Sequence, residues 1–252
     1  MARKKSSKKS YRRRRSYKRS AKKYVPRKVR KYVKTAISRS IETKRSGLVA
    51  EQIPIYTYIS DAQCNALLPV LAQGTGQGDR IGDEVRIHKT SLRFAINCDS
   101  TAANSSISKY FDIYIFKLRK ANTNPTATDM QRFLQDGNSA TAYDANSSVD
   151  GLRDVNQDLF RLCMHKRVKM ANSNDITNQP GTQGTISFSA KIDCTKWLKK
   201  VQKYDDTSDF PTNDNLFIAI GSIWTDLPSS GLRAPQLTGH YSYLYEYEYK
   251  DA

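Results

Sequence analysis

The first 41 residues contain no Asp or Glu; Glu42 is the first acid in the chain. A globular surface mixes both signs of charge, so a stretch this one-sided does not build a packed domain on its own. Other absences narrow the function. No apolar run reaches the roughly 18 residues of a membrane-spanning helix, and no apolar segment follows the basic start as a secretory signal would require. The four cysteines, Cys64, Cys98, Cys163 and Cys194, are too far apart for a zinc knuckle and are expected to be reduced, buried thiols of an intracellular protein. His88, His165 and His240 are scattered, with no HExxH pair, and no GxSxG elbow is present. The glycine-rich "GTGQGDRIG" at 74–82 lacks the Gly-Lys-Ser/Thr of a phosphate loop and leads into a predicted strand, so it is read as a turn. No catalytic residue, metal ligand or cofactor is therefore assigned, and the chain is not expected to be an enzyme.

What is present is charge of one sign in one place. Residues 1–45 hold 21 of the 42 Lys and Arg and one of the 24 acids, a net of +20. The remainder holds 21 basic and 23 acidic residues, a net of −2. The whole excess of +18 thus belongs to a terminal arm, and the body is close to neutral. Like charges in a block repel, stay disordered and bind polyanions.

The arm's composition points to nucleic acid. Arg12, Arg13, Arg14 and Arg15 form a run whose guanidinium forks suit phosphate. Tyr11 and Tyr17 are interleaved with Arg3, Lys4, Lys5, Lys8, Lys9, Lys18, Arg19, Lys22 and Lys23, and aromatics among cations suit unpaired bases. The cations continue as Arg27, Lys28, Arg30, Lys31 and Lys34. Sequence-blind, salt-dependent binding of a single strand is expected, with nuclear import as a compatible second use. The plainer alternatives are a solubility tail or an import signal alone. After Pro26, the spacing of Val29, Tyr32, Val33, Ala36, Ile37 and Ile41 is helical and gives a basic amphipathic segment. Such a segment lies on a membrane or packs under a protein shell; ordering on assembly is the reading adopted.

The body reads as strands between polar loops. "TISFSAKIDC" alternates, with Ile186, Phe188, Ala190, Ile192 and Cys194 on one face. "NLFIAIGSIW" and "KYFDIYIFKL" are apolar on both faces, as central strands are. "EVRIHKTSLRFAINC" changes phase near His88–Ser91, which predicts a bulge. "FRLCMHKRVKM" is read with Phe160, Leu162, Met164, Val168 and Met170 on one face. Arg161, His165, Arg167 and Lys169 then share the other as possible inner-face contacts to nucleic acid. "HYSYLYEYEYK" lines up Tyr241, Tyr243, Tyr245, Tyr247 and Tyr249. One helix, capped by Thr128 and ended by Gly137, is expected at "TATDMQRFLQDG". Long polar loops are placed at 97–108, 138–158, 171–184 and 205–213. These elements predict an all-β fold: a single jelly-roll sandwich (46–252) behind a disordered, basic arm (1–45).

An arginine-rich arm on one all-β sandwich resembles the capsid proteins of circovirus-like, circular single-stranded DNA viruses. "GQGDRIGDEVRIHKTSLRFAI", with Arg80-Ile81-Gly82, is similar to the segment leading into an early jelly-roll strand of that group. "NDNLFIAIGSIWTD" and "GHYSYLYEYEYKD" are similar to its last two strands. The resemblance implies a homo-oligomeric icosahedral shell that packages single-stranded DNA, with the virion and the host nucleus as locations. The host import machinery and an unidentified host receptor are the implied partners, with no membrane insertion. Coat proteins of small plant RNA viruses share the same plan. A chromatin- or ribosome-associated binding protein with a basic tail is the alternative from another class.

Overall fold

The computed structural model describes residues 26–40, 42–76, 78–98, 109–119, 124–143, 152–170, 186–224 and 237–251. The chain divides into two compact units, 1–41 and 42–252. In the first, helix α1 (Arg27–Ser40) begins directly after Pro26, whose carbonyl accepts the Arg30 N–H at 3.1 Å. Pro26 supplies a fixed φ and needs no intrahelical donor there. Arm residues 1–25 lie outside the described residues.

The second unit is a sandwich whose pairings are nested. β1 (Lys44–Tyr56) pairs with the last strand β12 (Leu237–Asp251), and β2 (Asn65–Ala66) with β11 (Phe217–Trp224). β3 (Glu84–Cys98) pairs with β9 (Ile186–Asp193) and β4 (Lys109–Leu118) with β8 (Phe160–Met170), all antiparallel. Two sheets result, ordered β1-β12-β3-β9 and β2-β11-β4-β8, with β10 (Val201–Lys203) extending the first beside the start of β3. This is the strand order of a jelly roll, and the all-β reading holds. Lys44 and Arg45 are strand residues, paired with Asp251 and Glu248 at 3.0 Å each.

Alternation places the core. Ile87, Leu92, Phe94 and Ile96 of β3 meet Phe111, Ile113 and Ile115 of β4 and Ile218 and Ile220 of β11 between the sheets. The five tyrosines of β12 are buried on the same side. Two of the hydroxyls avoid the cost of dry burial by reaching loops: Tyr247 donates to the Val70 carbonyl at 2.6 Å and Tyr249 to that of Gly78 at 2.7 Å. The phase change in β3 is a bulge, since Lys89 faces Glu248 while Ile87 faces Tyr249, leaving His88 unmatched.

Two expectations are corrected. The helix expected within 126–137 is a single turn, α2 (Ala127–Met130), capped by Thr126 and not Thr128. Thr126 Oγ1 accepts the Asp129 N–H at 3.2 Å, and the Asp129 carboxylate accepts the Thr126 N–H at 2.9 Å, a closed capping box. The chain then turns to strand as β5 (Leu134–Asp136), and Gly137, at φ +57°, makes the tight turn into β6 (Ser139–Thr141). The supposed loop 138–158 therefore contributes to a third, small sheet, β6-β5-β7, with β7 at Asp154–Val155. This insertion covers the outer face of β4 and β11. Phe133, Leu134, Tyr143 and Val155 pack on Tyr114, Phe116, Phe217 and Ala219 in a second core.

The Arg80-Ile81-Gly82 segment has a structural task. Arg80 is almost fully buried, and its guanidinium donates to the carbonyls of Leu71, Gly82 and Asp205 at 3.3, 3.1 and 2.8 Å, above the Tyr204 ring. One side chain thus joins the β2–β3 connection to the loop after β10. Arg80→Lys keeps the charge but cannot reproduce the planar fork. It is expected to destabilise the body by about 2–3 kcal/mol, read by thermal unfolding; an unchanged Tm would remove Arg80 from this role.

Candidate nucleic-acid interface

The residues proposed to contact nucleic acid fall into two groups. Of the arm, Arg3, Lys4, Lys5, Lys8, Lys9, Tyr11, Arg12, Arg13, Arg14, Arg15, Tyr17, Lys18, Arg19, Lys22 and Lys23 lie outside the described residues. Arg27, Lys28, Arg30, Lys31 and Lys34 are brought onto α1. Arg27, Lys28, Arg30 and Lys31 are exposed, and no acid stands in the helix's first turn to moderate them. Neighbouring cations at i, i+3 and i, i+4 repel, so the helix presents its charge at a cost that a polyanion relieves.

The second group, on β8, is arranged differently from the sequence expectation. Met164 stands opposite Ile115, but Leu162 stands opposite Phe116, so Cys163 is a bulge. A one-residue slip reverses every side chain beyond it. Phe160 and Leu162 therefore pack into the second core, while Met164 and Val168 pack against the first. Arg161, opposite Lys117, is turned away from the face that holds His165, Arg167 and Lys169. The four basic residues do not form one surface.

Two of the remaining three are committed to a buried acid that the sequence reading passed over. Asp112 sits in the middle of β4 with no exposed surface. Its carboxylate accepts Arg167 Nε and Nη2 at 2.7 and 2.8 Å, lies 3.1 Å from His165 Nε2, and accepts the Tyr143 hydroxyl at 3.0 Å. The His165 ring stacks on Tyr114 with centroids 4.4 Å apart. Tyr143 reaches in from the segment after β6 because Gly221, opposite Asp112 on β11, has no side chain; a Cβ there would lie 2.5 Å from Tyr143 Cε1. Lys169 lies over the Tyr110 ring at 5.9 Å and Arg167 at 5.8 Å. The one signal available in the sequence was an acid alone in the otherwise apolar "YFDIYIF".

The electrostatics follow from burial. Desolvation pushes the Asp112 carboxyl up, but hydrogen bonds from His165 and Arg167 and the guanidinium charge outweigh it and hold the group below the usual carboxylate range. The same hydrogen bond pushes Arg167 up, and burial pushes the Tyr143 hydroxyl well above its ordinary value. All four cysteines are free, and burial raises Cys64 and Cys194 to about 12. Among the described residues, no group of three or more His, Cys, Asp and Glu is placed to hold a metal.

A testable consequence separates structure from binding. Arg167→Ala leaves Asp112 buried without its main counter-charge and is expected to cost about 3 kcal/mol of stability, with little change in the salt dependence of nucleic-acid binding. The Asp112 contribution has a pH signature. Its folded-state pKa is depressed, so the stabilisation is present above the unfolded value and lost as pH falls through the folded one. The stability gap between the wild type and Asp112→Asn is expected to close below about pH 4 in acid titrations of denaturant unfolding. A gap constant to the lowest pH would contradict a charged Asp112.

No protein-family model matches the chain, and no curated protein matches it significantly. Solved structures do align along most of its length. A structure of Desmodium yellow mottle tymovirus aligns at 8% identity over 84% of this chain and 87% of that one, with a TM-score of 0.31. A structure of mud crab tombus-like virus aligns at 7% identity over 87% and 98%, TM-score 0.34, and one of cocksfoot mottle virus at 13% over 83% and 93%, TM-score 0.31. None of these three is a circovirus-like virus. At such identities and scores the likeness carries no argument about function, and the fold stands on the strand pairing itself.

Proposed function

We propose that this chain is the shell subunit of a small virus, which self-associates through its jelly-roll body and neutralises a packaged single-stranded nucleic acid with its basic arm. One observation carries the reading: the strand order β1-β12-β3-β9 over β2-β11-β4-β8 belongs to a body, residues 42–252, of net charge −1, while a net +19 is confined to residues 1–41. A near-neutral body lets copies approach one another without strong mutual repulsion. A concentrated cationic arm offsets the self-repulsion of a confined polyphosphate. Fully stretched, the 26 residues before α1 reach at most about 85 Å at about 3.3 Å each.

In this proposal the arm, and not the β8 face, carries the main nucleic-acid contact. Arg167 and His165 are engaged with Asp112, and Arg161 faces the other way. The resemblance in sequence points to DNA and to assembly in the host nucleus, with import read from the same basic residues. The chain is assigned no catalytic step and no cofactor.

The test is removal of residues 2–41. The body is expected to keep its unfolding temperature, because its strands begin at Lys44, and to lose protection of nucleic acid from added nuclease. Digesting the released nucleic acid with DNase or RNase then identifies the genome type. Full-length protein is expected to bind a single strand with log affinity falling steeply against log salt, by about 0.7 per phosphate neutralised, and the truncated body with a slope near zero. Equal protection by the truncated body would overturn the role given to the arm.

A further inference from the structure

Nucleic-acid binding explains the cations of α1 but not its other face. Val29, Tyr32 and Val33 are 47%, 76% and 46% exposed, and Ala36 and Ile37 continue the same i, i+3, i+4 stripe in the sequence. The helix sequence also holds Arg27, Lys28, Arg30, Lys31, Lys34 and Arg39, and no acid. A single strand attracts the cations and can stack a base on Tyr32, but it does not bury Val29 and Val33. The arrangement needs a surface that is anionic and apolar at once.

We infer that α1 is an interfacial helix for an anionic lipid bilayer, lying in the headgroup plane with Val29, Tyr32 and Val33 toward the acyl chains and its cations among lipid phosphates. Three observations support this occupant. At 14 residues the helix is about 21 Å long, too short to cross a hydrocarbon core of about 30 Å but suited to lie along it. Nor is any helix among the described residues long and apolar enough to span a membrane. Tyr32, the most exposed of the three, has the apolar ring and polar tip that favour the headgroup level. The charge balance also favours lipid over the chain's own body: six cations in the helix sequence suit a dense anionic partner, and residues 42–252 carry a net charge of only −1. An anionic bilayer supplies both the counter-charge and the apolar layer that a short, self-repelling helix needs to persist. The inference is independent of the shell reading, since it uses only α1 and the charge balance of the chain.

The experiment is flotation of full-length protein, freed of nucleic acid by nuclease and high salt and taken from the dispersed fraction of a sizing column. Vesicles of phosphatidylcholine containing about one third phosphatidylserine are compared with phosphatidylcholine alone. The comparison variant is Val29→Ser/Val33→Ser, which keeps every cation. Its positions are solvent-exposed, so the body's Tm is expected to be unchanged, and that is checked. Wild-type protein is expected to float with the anionic vesicles and not the neutral ones. The variant is expected to partition about tenfold more weakly while its affinity for a single-stranded oligonucleotide stays the same. Equal flotation of variant and wild type would overturn the inference, because the apolar face would then play no part. A parallel loss of oligonucleotide affinity would assign the stripe to nucleic-acid binding, and failure of the wild type to float would exclude the lipid partner.

Discussion

β4 and β11 lie side by side over eight matched pairs, from Lys109 opposite Trp224 to Phe116 opposite Phe217, and every other layer of the body packs on one face of this pair or the other. On one side is the sheet that contains β3 and β12; on the other is the β5–β7 insertion. Two strands buried on both faces must be apolar throughout, and both are nearly so. The buried charge among them, Asp112, explains much of the local architecture. A carboxylate in that position costs several kcal/mol unless paired and hydrogen-bonded. The fold therefore spends Arg167, His165 and the Tyr143 hydroxyl on it and leaves Gly221 bare so that Tyr143 can arrive.

That arrangement changes the meaning of the basic strand. Positive residues on β8 look like a binding surface when only their charges are counted. Two of them, Arg167 and His165, instead neutralise one buried acid. The large uncompensated charge of the chain is thus confined to the arm and α1, where no acidic residue answers it before Glu42. Arm and body differ in kind: one carries the charge, the other the packing.

How much of this was legible depended on the length of unbroken alternation around each irregularity. The β3 bulge at His88 could be read because long alternating runs flank it. The β8 bulge at Cys163 could not, because only three residues precede it in the strand and hydrophobic side chains fall on both faces. β1 went unassigned for a similar reason. Its register slips between Ala50 and Ile53, Gln52 adopts φ +53°, and Pro54 sits where only an edge strand tolerates it. At 126–134, Met130, Phe133 and Leu134 have helical spacing but reach one core from a single turn and a strand. Arg80 was visible only as part of a motif, since its acceptors at Leu71 and Asp205 are supplied by the fold. The arm's chemistry needed no fold to be read.

Self-association into a closed shell is the central claim, and negative-stain electron microscopy of the full-length protein tests it most directly. The fraction eluting earliest from a sizing column is expected to contain uniform, closed particles. Only monomers or dimers, across a range of salt and with single-stranded DNA or RNA added, would contradict the shell reading and move the chain to the class of basic-tailed nucleic-acid-binding proteins.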